Sequence, residues 1–307
     1  MKRYNSYAES IKEKYGCRLQ KIVIDGGFSC PNRDGLVGRG GCTYCDNRAF
    51  HPGYSTPDKS IAQQIEEGIE FHKGRYRGVS KYLAYFQPYS NTYAPLEKLR
   101  KLYGEALSHP EVAGLVIGTR PDCVDEAKLD YIAELSRKYI VSLEFGIESC
   151  YDRTLERINR GHNTAQAEWA VREAASRGIS VGAHFILGLP GESREMMIEG
   201  TSFINSLPLT SIKFHQLQII KGTAMEKEFA SHPEDFVTFT LDEYIDFFID
   251  ILERLRPEIS IERFAGEVPP RFVNSTPWGL IRNVELLRML DTRLEERDTR
   301  QGRLVKI

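Results

Sequence analysis

The 307 residues carry 41 Lys and Arg against 43 Asp and Glu, a formal charge of -2, with 41% hydrophobic content. That content suffices for a sizeable core, and the charge excludes a global electrostatic attraction for nucleic acid while leaving basic segments at 12–21, 98–101 and 293–306. The longest apolar runs, such as 179–189 with Gly182 and His184 inside it, fall short of the roughly 20 residues of a membrane helix. The first sixteen residues hold no signal-peptide core, so a cytoplasmic address without membrane attachment is expected, and six cysteines are too few for a disulfide scaffold.

Strand candidates follow in order at 21–28, 82–87, 114–119, 140–146, 180–187 and 211–219. Between them lie helix candidates near 60–71, 95–107, 126–138, 165–177 and 194–205, several opened by Ser, Pro or Asp. Six successive β/α units predict parallel strands with crossover helices. Polar and glycine-containing groups recur just after strand ends: Gln87 to Asn91, Thr119 to Asp122, Gly146 to Ser149 and Gly188 to Glu192. A barrel would gather these on one face, where barrel enzymes carry their sites. The expected fold is therefore α/β, a partial (βα)6 TIM-type barrel over residues 1–220, its loop 29–46 distinct. Residues 221–307, with helices at 241–255 and 280–290 and a short strand at 259–264, read as a C-terminal extension packed on the barrel.

After the first strand comes Cys30-Pro-Asn-Arg-Asp-Gly-Leu-Val-Gly-Arg-Gly-Gly-Cys42-Thr-Tyr-Cys45, a C-x11-C-x2-C pattern. A close pair grips one metal centre, and a third thiolate on a glycine-rich loop can fold back beside it. Three sulfurs on an iron–sulfur cube leave one iron open to an external ligand. The competing reading is a structural zinc formed by these cysteines with His51, in a binding module without redox chemistry. Cys17, Cys123 and Cys150 have no paired spacing and read as small buried residues.

The loop CPNRDGLVGRGGCTYC, with GTRPDC and GLPGE at later strand ends, resembles the radical S-adenosylmethionine (SAM) superfamily, and within it the YhcC/YtqA group, whose core is similar to that of the Elongator catalytic subunit. The spacing departs from the superfamily's common C-x3-C-x2-C but keeps the C-x-aromatic-C ending. The resemblance implies a 4Fe–4S cluster on Cys30, Cys42 and Cys45, SAM chelated at the open iron, and one-electron cleavage of SAM to a 5′-deoxyadenosyl radical. It further implies that Gln87, Ser90 and Asn91 face the methionine amino group, and that Glu148 and Arg160 hold the ribose and the methionine carboxylate. His184 falls where relatives face the ribose, commonly with an acid, and 215–220 offers backbone groups to adenine. The implied partners are an electron donor such as flavodoxin or ferredoxin and a tRNA substrate modified at a wobble uridine. The alternative substrate is a small metabolite or peptide.

Overall fold

The computed structural model describes residues 2–47, 52–74, 79–266, 268–274, 278–279 and 281–305. Seven strands, β1 Arg18–Ile24, β2 Val79–Phe86, β3 Val112–Thr119, β4 Ile140–Glu148, β5 Ser180–Leu187, β6 Ser211–Gln216 and β7 Ser260–Arg263, form one sheet in that order. Every neighbouring pair is parallel. The six expected strands are all present, and the short strand expected in the extension joins them as a seventh.

Alternation along the strands separates two layers. Ile22 and Ile24 of β1 turn outward onto Ile61, Ile65 and Ile69 of helix Ile61–Lys73, all buried. Helix Thr164–Ser176 likewise buries Ala167, Ala170, Val171 and Ala174, one face of a 3.6-residue period. Each full burial of an Ile or Leu side chain contributes about 1.5–3 kcal/mol. Capping boxes at Ser60/Gln63 and Asn163/Gln166 fix where these two helices start, and one at Thr240/Glu243 starts helix Leu241–Leu252.

The opposite face is polar. Lys21 on β1 reaches Glu144 on β4 and Glu262 on β7, each at 2.7 Å. Side chains of non-neighbouring strands meet in this way only across the hollow of a curled sheet, so the architecture is a half-barrel with a charged lumen. β1 and β7 do not pair. Instead Asn5 O accepts the Ile261 N–H at 2.7 Å and Ser6 bridges Ile261 in parallel, so the segment before helix Tyr7–Tyr15 covers the β7 edge.

Departures from the expected boundaries have local causes. β1 ends at Ile24 because Asp25 Oδ1 accepts the Gly27 N–H at 2.9 Å and Gly27 takes a positive φ of 63°, turning the chain out of the sheet. The helix expected at 194–205 breaks at Gly200 into Arg194–Glu199 and Thr201–Ser206. Helices Tyr7–Tyr15, Asp152–Arg157 and Ala224–Ser231 were not anticipated. Among the described residues no helix is long and apolar enough to cross a membrane.

Candidate functional site

Cys30 caps a single helical turn, Pro31–Asp34, immediately beyond β1. Proline presets the turn, and Gly35 ends it in a left-handed conformation with φ 98°. The chain then doubles back: Gly35 N–H donates to Gly38 O, and Gly41 N–H to Asn32 O at 2.8 Å. Gly41 has φ 85°, and a Cβ there would lie 2.9 Å from Arg33 Nε, so only glycine lets the loop close on that arginine. Cys42 and Cys45 follow on a tight turn, Cys45 N–H donating to Cys42 O at 3.0 Å. Cys30 and Cys42 are buried and Cys45 is half-buried, all three free thiols.

A second loop locks the first. Asn159, itself at φ 51°, donates from Nδ2 to Gly41 O at 2.8 Å, and Asn32 Nδ2 donates back to Asn159 O. Thr43 N–H donates to Ile158 O at 3.0 Å. An open cavity of about 970 Å³ results, with Asp25, Phe28, Arg33, Cys42, Cys45 and Tyr89 on its wall. Arg33 Nη2 donates to Cys45 O at 2.8 Å. Burial pushes the Cys45 thiol up and the neighbouring Cys42 adds to it, while Arg33 pulls it back.

Ser90 and Asn91 sit after β2 with side chains already engaged. Ser90 Oγ is 3.0 Å from Thr119 Oγ1 and accepts the Arg120 N–H, and Asn91 Nδ2 donates to Gly118 O at 2.7 Å. Gln87 is half-buried at the strand end, its N–H on Ile24 O. Asn91 Oδ1 remains buried without a partner, as do Asn32 Oδ1, Thr43 Oγ1 and Arg120 Nη1. Orphaned polar atoms of this kind are costly to bury and here line one end of the barrel, as expected of a place that receives a polar ligand.

Glu148 ends β4 at φ 75°, a conformation that strains a non-glycine residue. Its Oε1 lies 3.5 Å from Arg160 Nη2. Arg160 is a hub: Nη2 donates to Gly146 O at 2.5 Å, Nε to His162 Nε2 at 3.0 Å and Nη1 to Cys42 Sγ at 3.4 Å. Burial opposes its charge, but Tyr44, Cys42 and Glu148 outweigh burial and hold Arg160 well above the ordinary arginine range. Burial first, then Arg160, lowers His162 to about 3, so that ring is neutral and accepts from Arg160.

His184 faces the lumen. Its Nε2 lies 3.0 Å from Glu144 Oε2 in the lumen, and its ring packs 5.9 Å from His215. Glu144 also meets Lys21 at 2.7 Å and Lys213 at 2.6 Å, and Lys213 reaches Tyr85 Oη at 3.2 Å and Glu262 at 3.2 Å. Against the effect of burial, the two lysines hold the Glu144 carboxyl well below the usual carboxylate range. A lone acid inside the apolar run 140–147 and a lone lysine inside 211–216 are the sequence signs of this cluster, and neither belongs to a motif. Asn32 and Arg33, although inside the cysteine loop, carried no sequence sign of their roles either.

Among the described residues no three His, Cys, Asp or Glu side chains converge on a single ion, and His51 lies outside the described residues. Two thiols on the wall of a large open cavity, Cys42 and Cys45, with a guanidinium and an amide facing the Cys42 sulfur, fit a bulky anionic cluster.

The profile of the Radical SAM superfamily matches residues 35–204, and that of the Radical_SAM C-terminal domain matches 209–296. The chain is 35% identical to YtqA of Bacillus subtilis over 304 residues, covering 98% of this chain and 92% of that one. It is 27% identical to Elongator complex protein 3 of Schizosaccharomyces pombe over 198 residues, 63% of this chain and 35% of that protein. The solved structure of Elp3 from the archaeon Methanocaldococcus infernus superposes with a TM-score of 0.68 at 16% identity, covering 92% of this chain and 64% of that one.

Proposed function

The chain belongs to the radical SAM superfamily, whose members use a 4Fe–4S cluster and SAM, and from this premise we propose that it is a tRNA-modifying radical enzyme acting on a wobble uridine. When bound, cluster and SAM together supply a 5′-deoxyadenosyl radical that removes hydrogen from a carbon no acid or base can activate. Cys30, Cys42 and Cys45 are the residues that would hold the cluster, and the wall of the cavity at Cys42 and Cys45 is the observation that carries this reading. Gln87, Ser90 and Asn91 would face the methionine amino group, with Asn91 Oδ1 the buried acceptor still to be satisfied. Glu148 would take the ribose, and Arg160 the methionine carboxylate through the donors its hub leaves over. His184, held by Glu144, would bound the pocket from the lumen side, and the backbone of 215–220 would meet the adenine.

Residues 1–220 are read as the radical core, with 221–307 as an extension that lends β7 to its sheet. The fixed dipoles around the cysteine loop orient ligands without reorganising at the moment of reaction. A flavodoxin- or ferredoxin-like protein would deliver the electron. The similarity to Elongator complex protein 3 and the basic segments at 12–21, 98–101 and 293–306 support the tRNA reading. Nucleosides of tRNA from cells with and without the gene test it: one nucleoside should change mass in the deletion, and that tRNA should raise the yield of 5′-deoxyadenosine in an anaerobic assay, less so as salt rises. Identical nucleosides and no effect of tRNA on SAM cleavage would rule the substrate out.

A further inference from the structure

Two donors converge on one sulfur. Cys42 Sγ receives Arg160 Nη1 at 3.4 Å and Asn32 Nδ2 at 3.6 Å. Neither side chain is free to move away. Asn32 is fully buried and its amide nitrogen is also bound to Asn159 O, while Arg160 is 6% exposed and pinned to Gly146 O and His162 Nε2. The neutral His162 ring adds no charge of its own, and Glu148 faces Arg160 at the longer distance of 3.5 Å. One positive charge and one amide dipole are therefore aimed at Cys42 before any ligand arrives.

Resting on the reading that Cys42 is a cluster ligand, we propose that Asn32 and Arg160 are positioning residues that set the reduction potential of the cluster by donating to the Cys42 sulfur. When the donor protein passes one electron, the added negative charge spreads over the cluster and its sulfurs, and no proton or bond is exchanged. Hydrogen bonds to a ligand sulfur and a buried cation stabilise that more negative state over the oxidised one, which raises the potential. A merely structural role for the two residues would alter cluster content or stability and leave the potential where it was.

The test is a redox titration of anaerobically reconstituted wild type, Asn32→Ala and Arg160→Gln, each checked first for iron and labile sulfide, with the reduced cluster counted by electron paramagnetic resonance. At the solution potential that half-reduces the wild type, each variant should show a reduced-to-oxidised ratio about tenfold lower, a downward shift of about 59 mV for a one-electron couple. The wild type in D2O should also show exchangeable deuterons coupled to the reduced cluster, a readout independent of any variant's folding. Fully loaded variants with an unmoved or raised potential, or a wild-type cluster without coupled deuterons, would overturn the proposal and leave the ligand assignment standing. A wild type that assembles no cluster would instead sink the ligand assignment.

Discussion

Replacing Glu144 by Gln removes the anion on which Lys21, Lys213 and His184 converge, at 2.7, 2.6 and 3.0 Å. Glu262 remains beside both lysines, at 2.7 and 3.2 Å, so the lumen is left with one uncompensated positive charge. Taking one partner from a buried ion pair costs about 3–5 kcal/mol, because two buried lysines are then left to share one carboxylate. At about 2 °C per kcal/mol for a chain of this size, the melting temperature should fall by about 6–10 °C. Lys213→Met added to Glu144→Gln restores the balance as Lys21 with Glu262, so the double variant should be more stable than the sum of the singles predicts, by about 1–3 kcal/mol. The carboxyl is held low in the folded state, so its contribution is present above its ordinary value of 4.5 and lost as pH falls below it. Urea denaturation of the three variants across pH measures all of this. Additive singles, or a Glu144→Gln loss below about 1 kcal/mol, would refute the lumen lattice as a unit.

His162, lowered to about 3 from 6.5, should lend stability that is whole above pH 6.5 and declines by about 2 kcal/mol by pH 5, since the unfolded ring takes the proton first. His162→Gln should flatten that slope, and an unchanged slope in urea titrations would contradict the burial argument. Arg160→Ala should weaken SAM binding measured by equilibrium dialysis, and, by stranding Gly146 O and His162, should also cost about 2–4 kcal/mol of stability. Unchanged SAM affinity would remove Arg160 from the site. Cys17→Ala should leave the visible spectrum of the reconstituted protein intact, because Cys17 stands before β1, away from the cysteine loop.

The strands were legible because each β/α unit carries its own period, their curling into a barrel because polar groups recur at the strand ends, and the cysteine loop because its spacing and glycines are local. The seventh strand was legible as a strand but not as a sheet member, since parallel pairing is settled by a partner far away in sequence. The lumen lattice was hidden for the same reason: Lys21, Glu144, Lys213 and Glu262 lie on four different strands and become one cluster only when the sheet curls. His184 illustrates the limit most clearly. Its place before the Gly188-Leu189-Pro190 turn suggested a ribose contact, and nothing local announced that its ring would meet Glu144, forty residues away on the neighbouring strand. Arg160 was legible as an unusual residue, yet its reach to Cys42 depends on the Asn159 and Asn32 clasp between two loops more than a hundred residues apart.

The most direct test of the account is anaerobic reconstitution of the wild type beside Cys30→Ala, Cys42→Ala and Cys45→Ala, scoring iron, labile sulfide and reductive cleavage of SAM to 5′-deoxyadenosine. The wild type should hold one 4Fe–4S cluster per chain and cleave SAM, and each variant should lose both, because an iron without its thiolate leaves the cube unanchored. Full iron, sulfide and SAM cleavage in any one of the three would contradict the assignment.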